Sequence, residues 1–151
     1  MAEFLEHTYE KFIFKVKEGY LYSQDEFWAN FQSGAATVGL TDFLQKAKGD
    51  VAFLETVEPG LEVKRGDEIG KIETIKATFG IISPVTGKIA AVNPEMDASP
   101  YLINHDPYGA GWIYRIEPSD PEGDKAQLMD AKEYFEIMKG KIAQEAKKLY
   151  G

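Results

Sequence analysis

One lysine in this sequence stands where a free amine could be put to use. Lys76 falls within Thr74-Ile75-Lys76-Ala77, a four-residue turn between two strand-like stretches, Glu68 to Glu73 and Phe79 to Ile82. A hairpin tip projects from the body of a fold, so a side chain there is reachable by a large enzyme. An exposed lysine is mostly protonated near neutral pH, and only the free amine attacks. Such a lysine is a poor catalyst and a good acceptor for an activated acyl group delivered by another enzyme. The carboxylate nearest to it in sequence is Glu73.

Other chemistries find little support. The two histidines, His7 and His105, are separated by most of the chain. His105-Asp106 has the look of a metal dyad, but no second histidine or cysteine accompanies it, and a loop role is expected. The chain has no cysteine. That excludes disulfides, thiolate metal sites and cysteine nucleophiles, so any sulfur chemistry must come from a cofactor. No Ser-His-Asp arrangement is visible. Trp28 and Trp112 read as core or loop-anchor aromatics. The chain is therefore expected to be a non-catalytic component, with no catalytic residues and no metal.

The elements that must position Lys76 follow from composition and local pattern. A chain of 151 residues with 44% hydrophobic content suits one globular domain, spanning residues 1–151. Its net charge of −8 repels phosphate backbones, which argues against nucleic acid, and favours basic partner surfaces. No apolar run approaches the roughly 18 residues of a membrane span. Met1 to Phe12 carries Glu3, Glu6 and Glu10 and lacks the pattern of a targeting peptide. A cytoplasmic location is the expectation, and the absence of cysteine suits a reducing compartment.

Short strands are expected at Phe12 to Val16, Phe27 to Phe31 and Ala36 to Leu40, the last two joined by a loop containing Gly34. Asp42 to Lys48 reads as a short helix, with Thr41 or Asp42 as cap and Gly49 as its end. Val51 to Val57 alternates, Glu58-Pro59-Gly60 turns, and Leu61 to Val63 is brief. After the Lys76 hairpin, Ser83 to Gly87 turns again and Lys88 to Asn93 returns as a strand. Ser99-Pro100 predicts an N-cap and first helical residue for a short helix ending near Asn104. Trp112 to Glu117 is the last strand. Asp130 then caps a helix whose apolar face is Ala131, Phe135, Met138, Ile142, Ala146 and Leu149, with Gly140 as a possible kink. Many short strands separated by turns suggest a sandwich or barrel.

The frame around Lys76 resembles the lipoyl and biotinyl carrier family. The resemblance runs through Gly60-Leu61-Glu62-Val63, Gly66-Asp67, Ile69, Ile72-Glu73, Lys76-Ala77 and Ser83-Pro84-Val85-Thr86-Gly87-Lys88-Ile89. Biotin carriers generally place Met on both sides of the lysine. Ile75 and Ala77 stand there instead, which favours lipoate. A closer likeness is to the H-proteins of the glycine cleavage system. It is carried by Val38-Gly39-Leu40-Thr41-Asp42-Phe43, Gly49-Asp50-Val51, Glu73-Thr74-Ile75-Lys76-Ala77 and Asn104-His105-Asp106-Pro107-Tyr108-Gly109-Ala110-Gly111-Trp112. It covers about Tyr20 to Tyr134.

This resemblance implies a mainly β barrel-sandwich hybrid with short helices, a core over about 20–118 and a C-terminal helix over about 130–149. It implies lipoate joined by an amide to Lys76, framed by Glu73, Thr74, Ile75 and Ala77. The implied role is to carry an aminomethyl group from glycine decarboxylation to a folate-dependent aminomethyltransferase. The implied partners are a pyridoxal-phosphate glycine decarboxylase, that aminomethyltransferase, dihydrolipoyl dehydrogenase, and a lipoate-protein ligase or lipoyl/octanoyl transferase. Tyr22 to Trp28 departs from the family's usual His-Glu-Trp, with Glu26 at the histidine position, which the resemblance puts near the resting cleft of the arm. That departure and the long tail beyond Gly140 also suit a paralogue serving another pathway. Sulfur oxidation beside a heterodisulfide-reductase-like complex, or relay of lipoate to other proteins, are the alternatives.

Overall fold

The computed structural model describes the backbone of residues 3–150 and the side chains of residues 3–145. It opens with an antiparallel hairpin, β1 (Phe4–Tyr9) and β2 (Phe12–Lys17). Next come β3 (Leu21–Tyr22), β4 (Phe27–Gln32) and β5 (Ala35–Leu40), then helix α1 (Asp42–Lys48). β6 (Val51–Thr56), β7 (Glu62–Val63), β8 (Glu68–Thr74), β9 (Thr78–Ile82) and β10 (Gly87–Val92) fill the centre. A 3-10 turn at Pro94–Met96, α2 (Leu102–His105), β11 (Tyr114–Pro118), α3 (Pro121–Gln127) and α4 (Ala131–Tyr150) complete the order.

Two antiparallel sheets close over one core, as the strand pattern predicts. One has six strands in the order β3-β4-β5-β11-β10-β7, and the other three in the order β6-β8-β9. Between them lie Phe27, Val38, Leu40, Leu54, Ile69, Ile72, Ile81, Ile89 and Ile116, all buried. The short β8–β9 hairpin is thus anchored through Ile72 and Ile81 while its tip reaches out of the sheet.

A second core lies on the opposite face of β4. Alternation sends Phe27 and Ala29 inward to the first core and Trp28 to the second. There Trp28 meets Phe14 and Val16 of the hairpin, Tyr22, Tyr108, and Tyr134, Met138 and Ile142 of α4. The indole fits because its partner across the strands is Gly39, where a Cβ would stand 2.7 Å from Cζ2 of the ring. Its Nε1 donates to the Pro107 carbonyl at 3.0 Å, so the buried donor is satisfied. This second core fastens the N-terminal hairpin and α4 to the sandwich.

Several local readings change in detail. The helix after Ser99-Pro100 starts later, with Tyr101 as N-cap, because Ser99 and Pro100 instead accept in tight i→i+3 turns from Leu102 and Ile103. Gly140 does not break α4, which continues through it to Tyr150. The expected apolar face holds at Ala131, Phe135, Met138 and Ile142, and fully buried Tyr134 joins it. Ala146 and Leu149 lie outside the residues whose side chains are described. Asp130 caps α4, accepting from the Glu133 amide at 2.9 Å. β1 and α3 are elements the sequence pattern did not announce.

Candidate functional site

Lys76 sits at the tip of β8–β9, exposed, as a hairpin turn requires. The tip itself is firmly held. Thr74 is buried, and its Oγ1 donates to the Lys48 carbonyl at 2.8 Å. The same oxygen accepts from the Ala77 amide at 3.0 Å and the Lys76 amide at 3.3 Å. Ile75 donates its amide to the Asp50 carbonyl at 3.2 Å. One threonine hydroxyl and one backbone bond therefore tie the lysine's turn to the end of α1 and the start of β6. Glu73 is exposed and pairs across the hairpin with Thr78, and Ile75 is 78% exposed. Ala77 is half-buried.

The end of α1 is built to receive the lysine. Thr41 caps the helix, with Oγ1 accepting from the Leu44 amide at 3.1 Å. Gly49 ends it at φ +92°, a backbone region that favours glycine. Its missing side chain leaves room for the Lys76 stem, whose Cε lies 3.2 Å from where a Cβ would be. Asn104 of α2 secures this corner: its Nδ2 donates to the Gly49 carbonyl at 3.1 Å and to Gln45 Oε1 at 2.9 Å. Its Oδ1 accepts from the Val51 amide at 2.9 Å. The sequence marks Gly49 as the end of α1, but neither its contact with Lys76 nor the hydrogen bonds of Asn104 could be read from it.

Lys76 also borders a groove of about 380 Å³. The hairpin supplies Tyr9, Glu10, Phe12 and Phe14 to it, α1 supplies Phe43, Lys46 and Ala47, and α4 supplies Ile142 and Glu145. Asp42 fixes the hairpin against α1. Its buried carboxylate accepts from the Lys15 amide at 2.9 Å, from Gln45 Nε2 at 2.8 Å and from Lys46 Nζ at 2.7 Å. Tyr108 adds a second tie, donating its hydroxyl to the Lys15 carbonyl at 2.7 Å and accepting from the Asp42 amide at 3.1 Å. Burial pushes that phenol's pKa up, keeping it a neutral donor.

Glu26 is not among the residues that line this groove. It is buried beneath α4, at φ +75° in the turn before β4. Its carboxylate accepts from Thr41 Oγ1 at 2.9 Å, from the Tyr134 hydroxyl and from the Lys141 ammonium. His7 packs edge-on against Phe135, and His105 against Tyr101. No group of three or more potential metal-ligating side chains occurs among the described residues, and no helix there is long and apolar enough to cross a membrane.

The arrangement offers the exposed amine of Lys76, a held turn beneath it and a largely apolar groove beside it. Comparisons with known proteins point to one family. The family model described as "Glycine cleavage H-protein" matches residues 20–141. A Pyrococcus abyssi protein named "Probable glycine cleavage system H protein" is 43% identical over 127 residues, covering 83% of this chain and 94% of the relative. The "Glycine cleavage system H protein" of Thermotoga maritima is 40% identical over 116 residues, covering 77% and 93%. Among solved structures, a glycine cleavage system H protein from Mycobacterium marinum superposes with a TM-score of 0.71 at 31% identity, over 79% of this chain and 95% of that one.

Proposed function

Because the chain belongs to the glycine cleavage H-protein family, we propose that it is a lipoyl carrier that takes an aminomethyl group from a pyridoxal-phosphate glycine decarboxylase to a folate-dependent aminomethyltransferase. Lys76 is the attachment residue in this reading. The observation that carries it is the hairpin-tip amine, exposed yet held by Thr74 and laid over Gly49 beside an apolar groove. An amide to Lys76 would remove its charge and leave an aliphatic arm on a fixed base. When bound, the dithiolane supplies a disulfide that accepts the carbon unit and is later restored by dihydrolipoyl dehydrogenase.

The chain's own residues do the rest. Thr74 and the Asp50 carbonyl orient the turn, so that the amine faces outward toward a lipoate-protein ligase or a lipoyl/octanoyl transferase. Tethering raises the local concentration of the reactive group at each partner. The net charge of −8 suits brief docking on basic surfaces. No residue of this chain acts on the substrate; the chemistry belongs to the partners.

The test is glycine–bicarbonate exchange catalysed by a glycine decarboxylase, with the lipoylated chain as acceptor. Exchange should rise with carrier concentration and vanish for Lys76→Arg. Full lipoylation without exchange would redirect the carrier to another lipoyl-dependent pathway, such as sulfur oxidation or lipoate relay.

A further inference from the structure

The three-stranded sheet that carries Lys76 turns one face to solvent, and a ring stands out on it. Val51 pairs with Thr74 and Phe53 with Glu73, so two steps along β6 match one along β8. The extra residue is Ala52, and the irregularity is a β-bulge. Plain alternation from buried Val51 would send Phe53 inward beside Ile72. The bulge gives that place to Leu54, which pairs with Ile72 and is buried with it. It leaves the Phe53 ring 56% exposed. A lone exposed ring is ordinary on a protein surface, but bulges recur next to working sites, where they re-aim a side chain.

Phe53 heads a row across the sheet. It stands opposite Glu73, and Glu73 opposite Thr78, all three exposed. Directly opposed residues of antiparallel strands share a face. Glu73 lies three residues before Lys76, and Ile75, 78% exposed, adds a second apolar side chain at the tip. Glu55 and Lys71 form the next row. The charged residues of β6, β8 and β9 are Glu55, Glu68, Glu73 and Lys71, all exposed, so carboxylates outnumber the ammonium there. None of these carboxylates forms an ion pair among the described residues.

We propose that this row docks the lipoate-protein ligase that acylates Lys76, with the Phe53 ring entering an apolar pocket flanked by basic side chains. The inference rests on the carrier reading above. In the acylation the free Lys76 amine attacks the carbonyl carbon of a lipoyl adenylate. The nitrogen–carbon bond forms, the carbon–oxygen bond to phosphate breaks, AMP leaves with that electron pair, and the surplus amine proton passes to solvent. The donor must therefore come within bonding distance of Nζ, and the protein that delivers it must lie against the tip and the strands that bear it. Enzymes served by the finished arm work at its far end and can stand off from the sheet. The excess of carboxylates around the ring complements a basic rim. Phe53 is a specificity-determining residue in this account and takes no part in the chemistry.

The test is steady-state lipoylation by a lipoate-protein ligase with lipoic acid and ATP, the chain being the varied substrate. The proteins are wild type, Phe53→Thr, which keeps a strand-favouring residue, Phe53→Leu, which keeps an apolar one, and Leu61→Ser, an exposed apolar control beyond the opposite end of β6. Urea midpoints of all four should agree, since both positions are exposed. Phe53→Thr should raise KM roughly tenfold with kcat unchanged, as for a ring that is buried on docking. Phe53→Leu and Leu61→Ser should stay within about twofold of wild type. Wild-type KM should rise with salt. Lys76→Arg, which docks without reacting, should inhibit lipoylation of wild type, and the double variant Lys76→Arg/Phe53→Thr should inhibit about tenfold more weakly. Unchanged KM and inhibition for the threonine variants, or a fall in kcat alone, would overturn the docking row and leave the carrier reading standing. An equal rise in KM when fully lipoylated Phe53→Thr serves glycine decarboxylase would overturn its assignment to the acylating enzyme. Failure of wild-type Lys76 to accept lipoate would overturn the carrier reading and the docking row together.

Discussion

The side chain of Lys76 crosses the backbone of Gly49, its Cε 3.2 Å from the position of a Cβ that glycine lacks. Gly49 also holds φ +92°. Gly49→Ala therefore meets two penalties, backbone strain in a left-handed region and crowding of the lysine stem. A loss of about 1–2 kcal/mol in urea unfolding is expected. Lipoylation should slow at the same time, because the stem must leave its track. A variant as stable and as readily modified as wild type would show that the crossing is incidental.

Thr74 is expected to matter through its hydroxyl rather than its shape. Thr74→Val keeps the volume and removes the donor to Lys48 and the acceptor for Ala77. The expected cost is about 1–2 kcal/mol, the usual loss when a buried hydrogen-bonding group is removed. Amide hydrogen exchange at Lys76 and Ala77 should accelerate more than exchange within β8. Thr74→Ser should restore most of the protection. Unchanged exchange in the valine variant would remove Thr74 from the account of the tip.

Alkaline pH should unfold the protein through its buried tyrosines. Burial pushes the phenol pKa values of Tyr22, Tyr108 and Tyr134 up, and the Glu26 carboxylate pushes Tyr134 further. The folded state thus keeps protons that the unfolded chain releases near pH ~10. Their contribution is complete below that pH and is lost as pH rises above it toward the folded values. Each tyrosine adds about 1.4 kcal/mol per pH unit to the fall. The urea midpoint should stay level up to about pH 9 and drop steeply beyond about pH 10. Tyr134→Phe should lessen that slope, and a midpoint still level at about pH 11 would contradict the argument.

What the sequence disclosed was what is written locally. Helix α1 was legible from Thr41 to Gly49 because both ends are marked by residues whose capping chemistry is local. The β8–β9 hairpin was legible because apolar alternation flanks a turn. β1 was not, since Glu6, His7 and Thr8 interrupt its pattern and its order depends on pairing with β2. α3 was hidden by Pro121 and Gly123. Its support is the Asp120 side chain, which accepts from the Gly123 amide, and the distant Arg65–Asp124 ion pair at 2.9 Å.

Lys76 and its frame could be named from the sequence, whereas the groove could not. Its walls draw on Phe12, Phe43 and Ile142, which stand on three elements that only the tertiary fold brings together. Glu26 illustrates the same limit. Two of its three side-chain partners, Tyr134 and Lys141, lie more than a hundred residues away, beyond the reach of a local motif.

The carrier reading puts lipoate on Lys76. It is tested most directly by intact mass and peptide mapping after co-expression with a lipoate-protein ligase and lipoic acid. A single lipoyl addition is expected, mapped to the peptide containing Lys76 and absent from Lys76→Arg. An unmodified chain with ligases that modify a known H-protein in parallel, or an addition mapped to another lysine, would contradict it.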